Sequence, residues 1–273
     1  AQTENEHYAH GAAAAHTMYY KTKGLGFMEK LRIILNGACG RMGTVAANYI
    51  NSAGSGAALC ARVDPAGGDG ICVSLWDCSA DADVIIDFSH RGAAGDLAKY
   101  AAARKLPLVV CTTGYREDDT EKLRRAARSV PVFISSNMSR GASLLQYFAA
   151  FAAEAFPKAD IEIVEMHHRR KADSPSGTAL MLAEGIRRVR PRSYPAIRGS
   201  ENGRAGGEIG IHSIRIGSCE GVHTVIISDG TETLTLCHRA EDRSVFAVGA
   251  VSAARYIVGR RPGIYNMKNM LGI

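Results

Sequence analysis

The chain has 273 residues, 46% of them apolar and 22% charged, which is ordinary for a globular protein of one large or two modest domains. No apolar run approaches the roughly 20 residues that a bilayer-spanning helix needs. The formal net charge is +6, and the sequence has no Lys/Arg block typical of a nucleic-acid-binding tail. We therefore expect neither a membrane nor a nucleic acid as a partner. The mild positive charge suits small anionic ligands, although an ordinary protein surface would carry it equally well.

Residues 1–27 differ in composition from the rest of the chain. Ala1–Tyr20 contains an alanine run and three histidines but no Lys or Arg. A secretory signal needs a basic start and a longer apolar stretch, so this segment does not fit one. Because Met28 directly precedes the first convincing strand, we predict that the natural chain starts there. Residues 1–27 are then a leader or an appended segment.

From Leu31 onward, short apolar runs alternate with helical patterns. The apolar runs lack polar alternation, which is typical of strands buried on both faces of a parallel sheet. Short connections between strand and helix predict a doubly wound, Rossmann-like α/β domain. The predicted strands are Leu31–Leu35, Ala57–Val63, Asp83–Phe88, Leu108–Cys111 and Val132–Ser135. The first predicted helix follows the segment that ends at Gly43 and continues to about Ser52. The other two cover about Gly92–Arg104 and about Glu117–Arg128.

After residue 139 the pattern changes to consecutive strands broken by glycine-rich turns. This predicts a second, α+β domain over residues 140–240 with an open mixed or antiparallel sheet. The last helix returns to the first domain, which then comprises residues 28–139 and 241–273. The predicted elements are helices Gly141–Phe156, Gly177–Arg188 and Ser244–Val258, a mobile loop Arg190–Gly207, and strands Asp160–His167, Glu208–Gly217, Gly221–Ser228 and Glu232–His238.

The seven cysteines are odd in number and form no C-x-x-C pair. Several lie inside apolar runs, which favours reduced, buried thiols in a cytoplasmic protein over a disulfide framework or a zinc site. They are Cys39, Cys60, Cys72, Cys78, Cys111, Cys219 and Cys237.

Three glycines follow the first predicted strand: Gly37, Gly40 and Gly43. Glycines before a helix let the backbone approach a pyrophosphate, although the usual spacing is G-x-G-x-x-G and a plain glycine-rich turn is the alternative. Asp64 ends the second strand about 20 residues later, where an acid binds the ribose hydroxyls. Together these residues predict a site for NADH or NADPH. Arg41 or Arg62 could meet a 2′-phosphate, so the choice between the two stays open.

Polar or aromatic residues end three further predicted strands. In open α/β sheets, ligands bind at the carboxyl ends of the strands, so these residues could line one crevice for the nicotinamide. Ordinary turns with capping residues are the alternative. The segments are Phe88-Ser89, Thr112-Thr113-Gly114 and Ser136-Asn137-Met138.

Titratable residues are concentrated in the nine positions from Glu165 to Asp173. Histidine suits proton transfer near neutral pH, and Lys171 can donate a proton or bind an anion. Ser176-Gly177-Thr178 then opens a helix whose free N–H groups can bind a carboxylate. A solvated basic loop is one alternative. A metal site at His167-His168 is another, but neighbouring residues of a strand point to opposite faces, so we expect no metal there.

The segment EMHHRRKADSPSGTA resembles the signature of the 4-hydroxy-tetrahydrodipicolinate (dihydrodipicolinate) reductase family of lysine and diaminopimelate biosynthesis. The family pattern is roughly E-x-H-H-x-x-K-x-D-x-P-S-G-T-A, and every fixed position is matched. The resemblance extends through GACGRMG, DFS, TTG and SSNMSRG and covers about Lys30 to Ile273.

The resemblance implies a homotetramer that reduces a small cyclic dicarboxylate with NADH or NADPH. The second domain would carry the substrate and the subunit interface. His167 would donate the proton, assisted by Lys171. Substrate-binding candidates are His168, Ser176, Gly177, Thr178 and Thr113. Cofactor-binding candidates are Gly37, Gly40, Arg41, Met42, Gly43, Asp64, Phe88, Thr112, Gly114, Ser136, Asn137 and Met138.

Two positions depart from some relatives, which have an aromatic residue in place of Met138 and an arginine in place of Pro65. These departures weaken a strong NADPH preference and favour use of both cofactors. Two other functions stay open: a non-catalytic NAD(P)-binding sensor, and a reductase of another small dicarboxylate. The proton-donor candidates His167 and Lys171 argue against the sensor, because a binding module needs no proton donor.

Overall fold

The structure is a computed structural model that describes residues 30–197 and 203–273. The predicted leader, residues 1–27, and the middle of the predicted loop Arg190–Gly207 lie outside the described residues.

A seven-stranded parallel sheet forms the first half of the structure, in the order β12-β6-β5-β4-β1-β2-β3. The apolar runs predicted as doubly buried strands form its centre, which confirms the Rossmann-like reading. Its strands are β1 Leu31–Asn36, β2 Ala57–Val63, β3 Ile71–Cys72, β4 Val84–Asp87, β5 Leu108–Val110, β6 Pro131–Ile134 and β12 Gly263–Tyr265.

Helices cover both faces of this sheet. One apolar core lies between the sheet and the second and third helices of the chain. Another lies between the sheet and the first and sixth helices. The sixth helix contributes Ala250, Ala254 and Ile257 to the same apolar core as Ile33 and Phe133 of the sheet. The helices are α1 Arg41–Ile50, α2 Ala94–Arg104, α3 Glu117–Ala126, α4 Arg140–Ala155, α5 Gly177–Val189, α6 Ser244–Ile257 and α7 Met267–Leu271.

A five-stranded mixed sheet, in the order β11-β10-β7-β9-β8, forms the second half. Its strands are β7 Asp160–His167, β8 Tyr194–Ile197, β9 Glu208–Arg215, β10 Gly221–Ser228 and β11 Thr233–Ala240. β7 is antiparallel to β10 and parallel to β9. The α4 and α5 helices bury one face of this sheet, while its other face carries exposed apolar side chains, Ile214 among them.

The predicted loop Arg190–Gly207 was wrong in part, because Tyr194–Ile197 forms β8 and pairs in parallel with β9. Pro195 and the flanking arginines hide this edge strand from a pattern search, because proline is tolerated only at sheet edges. The short elements β3, β12 and α7 were not predicted. Each has five residues or fewer, too few to show a periodicity.

Candidate functional site

The glycine turn lies where the strand order of the parallel sheet reverses, between β1 and β4. Gly37 follows β1 with φ of +76°, which favours glycine. A Cβ at Gly37 would also lie 2.6 Å from the backbone of Phe88 and Ser89, which follow β4. Gly37 therefore lets the two strand ends meet at the point where α/β sheets bind ligands.

The other two glycines of the turn have different surroundings. A Cβ at Gly43 would lie 2.0 Å from the carbonyl oxygen of Gly37, so Gly43 lets α1 pack directly on the turn. A Cβ at Gly40, the N-cap of α1, would meet only that same oxygen, at 3.4 Å. No side chain caps α1, and its first turn has no acidic residue. Its N–H groups are therefore free to bind an anion that approaches over Gly40.

Asp64 lies beside the same turn. Its carboxylate accepts hydrogen bonds from the backbone N–H of Cys39 at 2.9 Å and of Ala66 at 3.0 Å. The acid is thus held next to the glycines, as ribose recognition requires. Arg62 donates to the carbonyl of Asp69, whereas Arg41 is exposed in the first turn of α1. The open α1 terminus with an adjacent carboxylate fits a nicotinamide dinucleotide.

The remaining cofactor candidates lie at the same edge of the sheet but differ in exposure. Gly114 and Ser136 are exposed, as is the neighbouring substrate candidate Thr113. Thr112 is buried and donates to Asp87, and Met138 is buried beneath α6. The partly buried residues are Met42, Phe88 and Asn137.

Asp87, which the sequence analysis did not single out, holds the strand ends together. Its carboxylate is fully buried and accepts from Asn36 Nδ2 at 2.7 Å, Ser89 Oγ at 2.6 Å and Thr112 Oγ1 at 2.7 Å. These donors belong to the ends of β1, β4 and β5. The signal available in the sequence is a charged residue that ends the apolar run DVIID.

We expect Asp87→Ala to lower the free energy of unfolding by about 3 kcal/mol or more, because it leaves several buried donors without an acceptor. Urea unfolding measures the loss. Asp118, whose side chain is 68% exposed on α3, provides the matched control. Asp118→Ala should change the free energy by less than about 0.5 kcal/mol. Equal effects of the two substitutions would contradict the role given to Asp87.

Strand β7 places Glu165 and His167 on its inner face, together with Ile161 and Ile163. Glu165 is 0% exposed and His167 is 7% exposed. Nδ1 of His167 is in hydrogen-bond contact with Oε2 of Glu165. Because the carboxylate accepts the hydrogen bond that Nδ1–H donates, Nε2 is the ring atom left to exchange a proton with a ligand.

Burial and the neighbouring charges shift the pKa of His167 in opposite directions. Burial lowers the pKa of His167 below its usual value, and nearby Lys171 and Arg215 lower it further, while Glu165 raises it. For Glu165, burial raises the pKa, but hydrogen bonds from Arg215 and His167 outweigh burial and lower it to about 2. Glu165 is therefore an anion at any pH near neutrality.

His168 and Lys171 lie in the turn that follows β7. The His168 N–H donates to the carbonyl of Cys219 at 2.6 Å, and the buried Nδ1 of His168 has no partner among the described residues. Lys171 Nζ donates to both carboxylate oxygens of Asp173, at 2.8 and 2.9 Å. Within the described residues, no group of three potential ligands gathers to hold a metal ion.

The start of α5 completes the site. Ser176 is 1% exposed, and its Oγ accepts from the N–H of Ala179 and contacts Nε2 of His223 at 2.9 Å. The N–H groups of Gly177 and Thr178 have no partner inside the helix and can bind a carboxylate. Thr178 Oγ1 accepts from Asn137 Nδ2 at 2.9 Å, which joins a substrate candidate to a cofactor candidate.

Two further residues of the site escaped the sequence analysis. Arg215 of β9 pairs with Glu165. His223 of β10 lies 5.1 Å from His167, measured between ring centroids, and burial lowers its pKa to about 3. Glu165, though part of the titratable cluster, had been given no role. The alternation of β7 could have placed Glu165 inside, but no sequence signal joins it to Arg215, which is 50 residues away.

The arrangement combines an acid–base side chain, a cation and a helix N-terminus. His167, oriented by a buried carboxylate, can donate a proton from Nε2. Lys171 and the start of α5 provide positive charge for an anionic ligand. The open glycine turn lies at the carboxyl end of β1, near the middle of the parallel sheet. Within the described residues, no helix has the length and apolar character needed to cross a membrane.

Comparisons with known proteins match both halves of the chain. The family model described as "Dihydrodipicolinate reductase, N-terminus" matches residues 31–138. The model described as "Dihydrodipicolinate reductase, C-terminus" matches residues 141–271.

Similar relatives match over nearly their whole lengths. The 4-hydroxy-tetrahydrodipicolinate reductase of Caldanaerobacter subterraneus subsp. tengcongensis is 38% identical over 252 residues, which cover 88% of this chain and 98% of the relative. The enzyme of the same name from Rhodopseudomonas palustris is 37% identical, covering 90% of this chain and 99% of the relative.

A solved structure shares the fold. The dipicolinate-bound dihydrodipicolinate reductase from Paenisporosarcina sp. TG-14 superposes with a TM-score of 0.74 at 23% identity. The match covers 88% of this chain and 98% of that structure.

Proposed function

Because the chain belongs to the dihydrodipicolinate reductase family, we propose that it reduces 4-hydroxy-tetrahydrodipicolinate to tetrahydrodipicolinate in lysine and diaminopimelate biosynthesis. Its catalytic residues in this proposal are His167 and Lys171. The reaction replaces the 4-hydroxyl group of the substrate by hydrogen. It therefore consumes one hydride and one proton and releases one water molecule. The protein must bind a hydride donor, place a proton donor and hold a dicarboxylate.

NADH or NADPH supplies the hydride when it is bound. Gly40 and the first turn of α1 would hold its pyrophosphate, and Asp64 its ribose, because these groups are open and adjacent. Gly37 and Gly43 shape the turn. The exposed Arg41 is the better candidate for a 2′-phosphate, since Arg62 already donates to the backbone carbonyl of Asp69. Further cofactor contacts are proposed for Met42, Phe88, Thr112, Gly114, Ser136, Asn137 and Met138.

His167 supplies the proton. Glu165 occupies Nδ1, so the imidazolium form donates from Nε2. A Cβ at Gly221 would lie 3.1 Å from Nε2, so the glycine leaves space beside this atom. Water first leaves with the 4-hydroxyl group and a ring proton of the substrate, which makes the ring unsaturated. Hydride then adds to this unsaturated ring, and the proton from His167 reaches the enamine-like ring that results. A bound dianion would raise the pKa of His167 and so favour the protonated form.

Positive groups hold the two substrate carboxylates. The N–H groups of Gly177 and Thr178 would bind one of them. Lys171 would exchange Asp173 for a substrate carboxylate, and its charge stabilises the negative charge that develops in the reaction. His168 and Thr113 are further contacts. Ser176, whose side chain is hydrogen-bonded internally, acts by fixing the start of α5.

The juxtaposition that carries this proposal is the Glu165–His167 pair beside the α5 N-terminus. The test is oxidation of NADH and of NADPH, followed by the loss of absorbance of the reduced nicotinamide, with substrate supplied by the preceding pathway enzyme. We expect turnover with both cofactors and inhibition by a planar pyridine dicarboxylate. Cofactor binding without turnover would instead indicate a sensor. Turnover with only a different dicarboxylate would indicate another reductase.

We further propose a homotetramer in the cytoplasm, with residues 140–240 as the substrate and subunit-interface domain and residues 28–139 and 241–273 as the cofactor domain. The open face of the mixed sheet supports the interface, because it carries the exposed Ile214 and Ile216 beside Val164. All seven cysteines are free, which supports a reducing compartment. The expectation that they are buried was wrong for most of them, since only Cys78 and Cys111 are buried.

The substitution Ile214→Asp tests this assembly. Ile214 is 43% exposed, so the monomer can tolerate aspartate, but a charge at the centre of an apolar interface should dissociate the tetramer. Light scattering after size-exclusion chromatography measures the mass. Val73→Asp is the control, since Val73 is 56% exposed in the connection between the β3 strand and a short 3₁₀ helix. An Ile214→Asp protein that keeps the mass of the unmodified protein would contradict an interface on this face.

A further inference from the structure

Arg215 reaches the site from β9, opposite His167 in the strand register. Its guanidinium donates to both oxygens of Glu165, through Nη1 at 2.9 Å and Nη2 at 2.7 Å. Nη2 also donates to the backbone carbonyl of Asp173 at 2.7 Å. One guanidinium thus joins β7 to the turn that carries Lys171, a geometry that the planar fork of arginine permits.

Glu165 connects Arg215 to two further groups of the site. Besides Arg215, its carboxylate binds Nδ1 of His167 and accepts from the N–H of Ser176 at 3.2 Å. The proton donor and the start of the carboxylate-binding helix are therefore attached to the same buried anion. A fully buried carboxylate is costly unless it is paired, so removal of Arg215 would disturb every group that Glu165 holds.

We infer that the Glu165–Arg215 ion pair is a positioning unit that sets the geometry of His167, Lys171 and the α5 N-terminus together. The inference rests on the proposed function, because it takes His167 as the proton donor. Neither Glu165 nor Arg215 needs to touch the substrate. Their effect passes through the residues that they hold.

The pair also sets the charge that faces His167. Glu165 of β7 is its anionic neighbour, Arg215 of β9 and Lys171 of the following turn are cations, and His223 of β10 is kept neutral by burial. Loss of the Glu165 charge lowers the pKa of His167, whereas loss of the Arg215 charge raises it as long as Glu165 stays ionised beside His167. Because the protonated ring is the donor, activity falls as pH rises through this pKa. The two losses therefore move that basic limb in opposite directions.

The experiment compares pH profiles of kcat/KM for Glu165→Gln and Arg215→Met with that of the unmodified protein. We expect kcat to fall by about 100-fold in both variants, as for a misplaced catalytic group. The basic limb should move to lower pH in Glu165→Gln and to higher pH in Arg215→Met. NADH affinity, measured by fluorescence, should be unchanged, because the glycine turn is untouched.

Glu162→Gln is the matched control. Glu162 lies on the opposite face of β7 and also contacts an arginine and a histidine, Arg204 and His212. Its loss should leave the basic limb in place. Limbs that stay in place, or that move together in the two test variants, would overturn the inference and leave the pair a merely structural role.

Arg215→Lys covers the case in which Arg215→Met does not fold. Lysine keeps the charge but cannot reach both Glu165 oxygens and the Asp173 carbonyl together. We expect a basic limb near its original pH with a lowered kcat, whereas an unchanged kcat would overturn the positioning role. Failure of the proposed function itself is distinguishable, since the unmodified protein would then not turn over the substrate at all.

Discussion

Lys171→Ala should lower kcat/KM for 4-hydroxy-tetrahydrodipicolinate by roughly 10³-fold, the range expected when a cation or proton donor is lost from a reacting site. Lys171 is 20% exposed and its ion-pair partner Asp173 is 61% exposed. Water can therefore solvate Asp173 after the substitution, and the fold should be retained. Steady-state kinetics measure the loss, and a fluorescence titration should show NADH binding nearly intact.

Lys122→Ala is the matched control for this prediction. Lys122 also pairs with neighbouring carboxylates, those of Asp118 and Asp119 on α3. It lies on a helix of the parallel-sheet half, far in the chain from His167 and Lys171. Its activity should equal that of the unmodified protein. Unchanged turnover in Lys171→Ala would remove Lys171 from the mechanism. Loss of NADH binding in that variant would show that its effect is not confined to the substrate.

The regular elements of the fold could be predicted because burial imposes a pattern on them. β7 and β10 were predicted at the bounds observed, since alternation places Ile161 and Ile163 inside and Glu162 outside. The parallel sheet followed from apolar runs buried on both faces. β8 could not be predicted, because an edge strand that contains Pro195 has no inward pattern and depends on β9 for pairing.

The candidate site, like the fold, could be predicted only in part. Residues adjacent in the chain, such as His167, Lys171 and the start of α5, form a local motif and were predicted. Residues that act as supports were not, because their contacts exist only after the sheet has formed. Arg215 meets Glu165 through the β7–β9 pairing, and the β7–β10 pairing places His223 opposite Glu165, where His223 also contacts Ser176. Nothing in the sequence near Arg215 distinguishes it from a surface arginine.

Gly43→Ala should disrupt the cofactor half of the protein. The added Cβ would lie 2.0 Å from the Gly37 carbonyl oxygen and 2.8 Å from backbone atoms of Ala38, and a backbone cannot yield as a flexible side chain can. Helix α1 must then move away from the turn. We expect the free energy of unfolding to fall by about 3 kcal/mol or more, the upper range for overpacking a tight site. Urea unfolding measures this loss, and NADH titration should show strongly weakened binding.

Gly40→Ala separates packing from ligand contact within the same turn. Gly40 has φ of −67°, which alanine adopts without strain, and its Cβ would meet only the Gly37 oxygen at 3.4 Å. The variant should therefore keep its stability within about 1 kcal/mol. Its methyl group would nevertheless stand where a pyrophosphate approaches α1, so NADH binding should weaken. A stable Gly43→Ala protein would contradict the packing role of Gly43. Full NADH affinity in Gly40→Ala would move the phosphate site away from this turn, because the open side of Gly40 is the structural reason for placing it there.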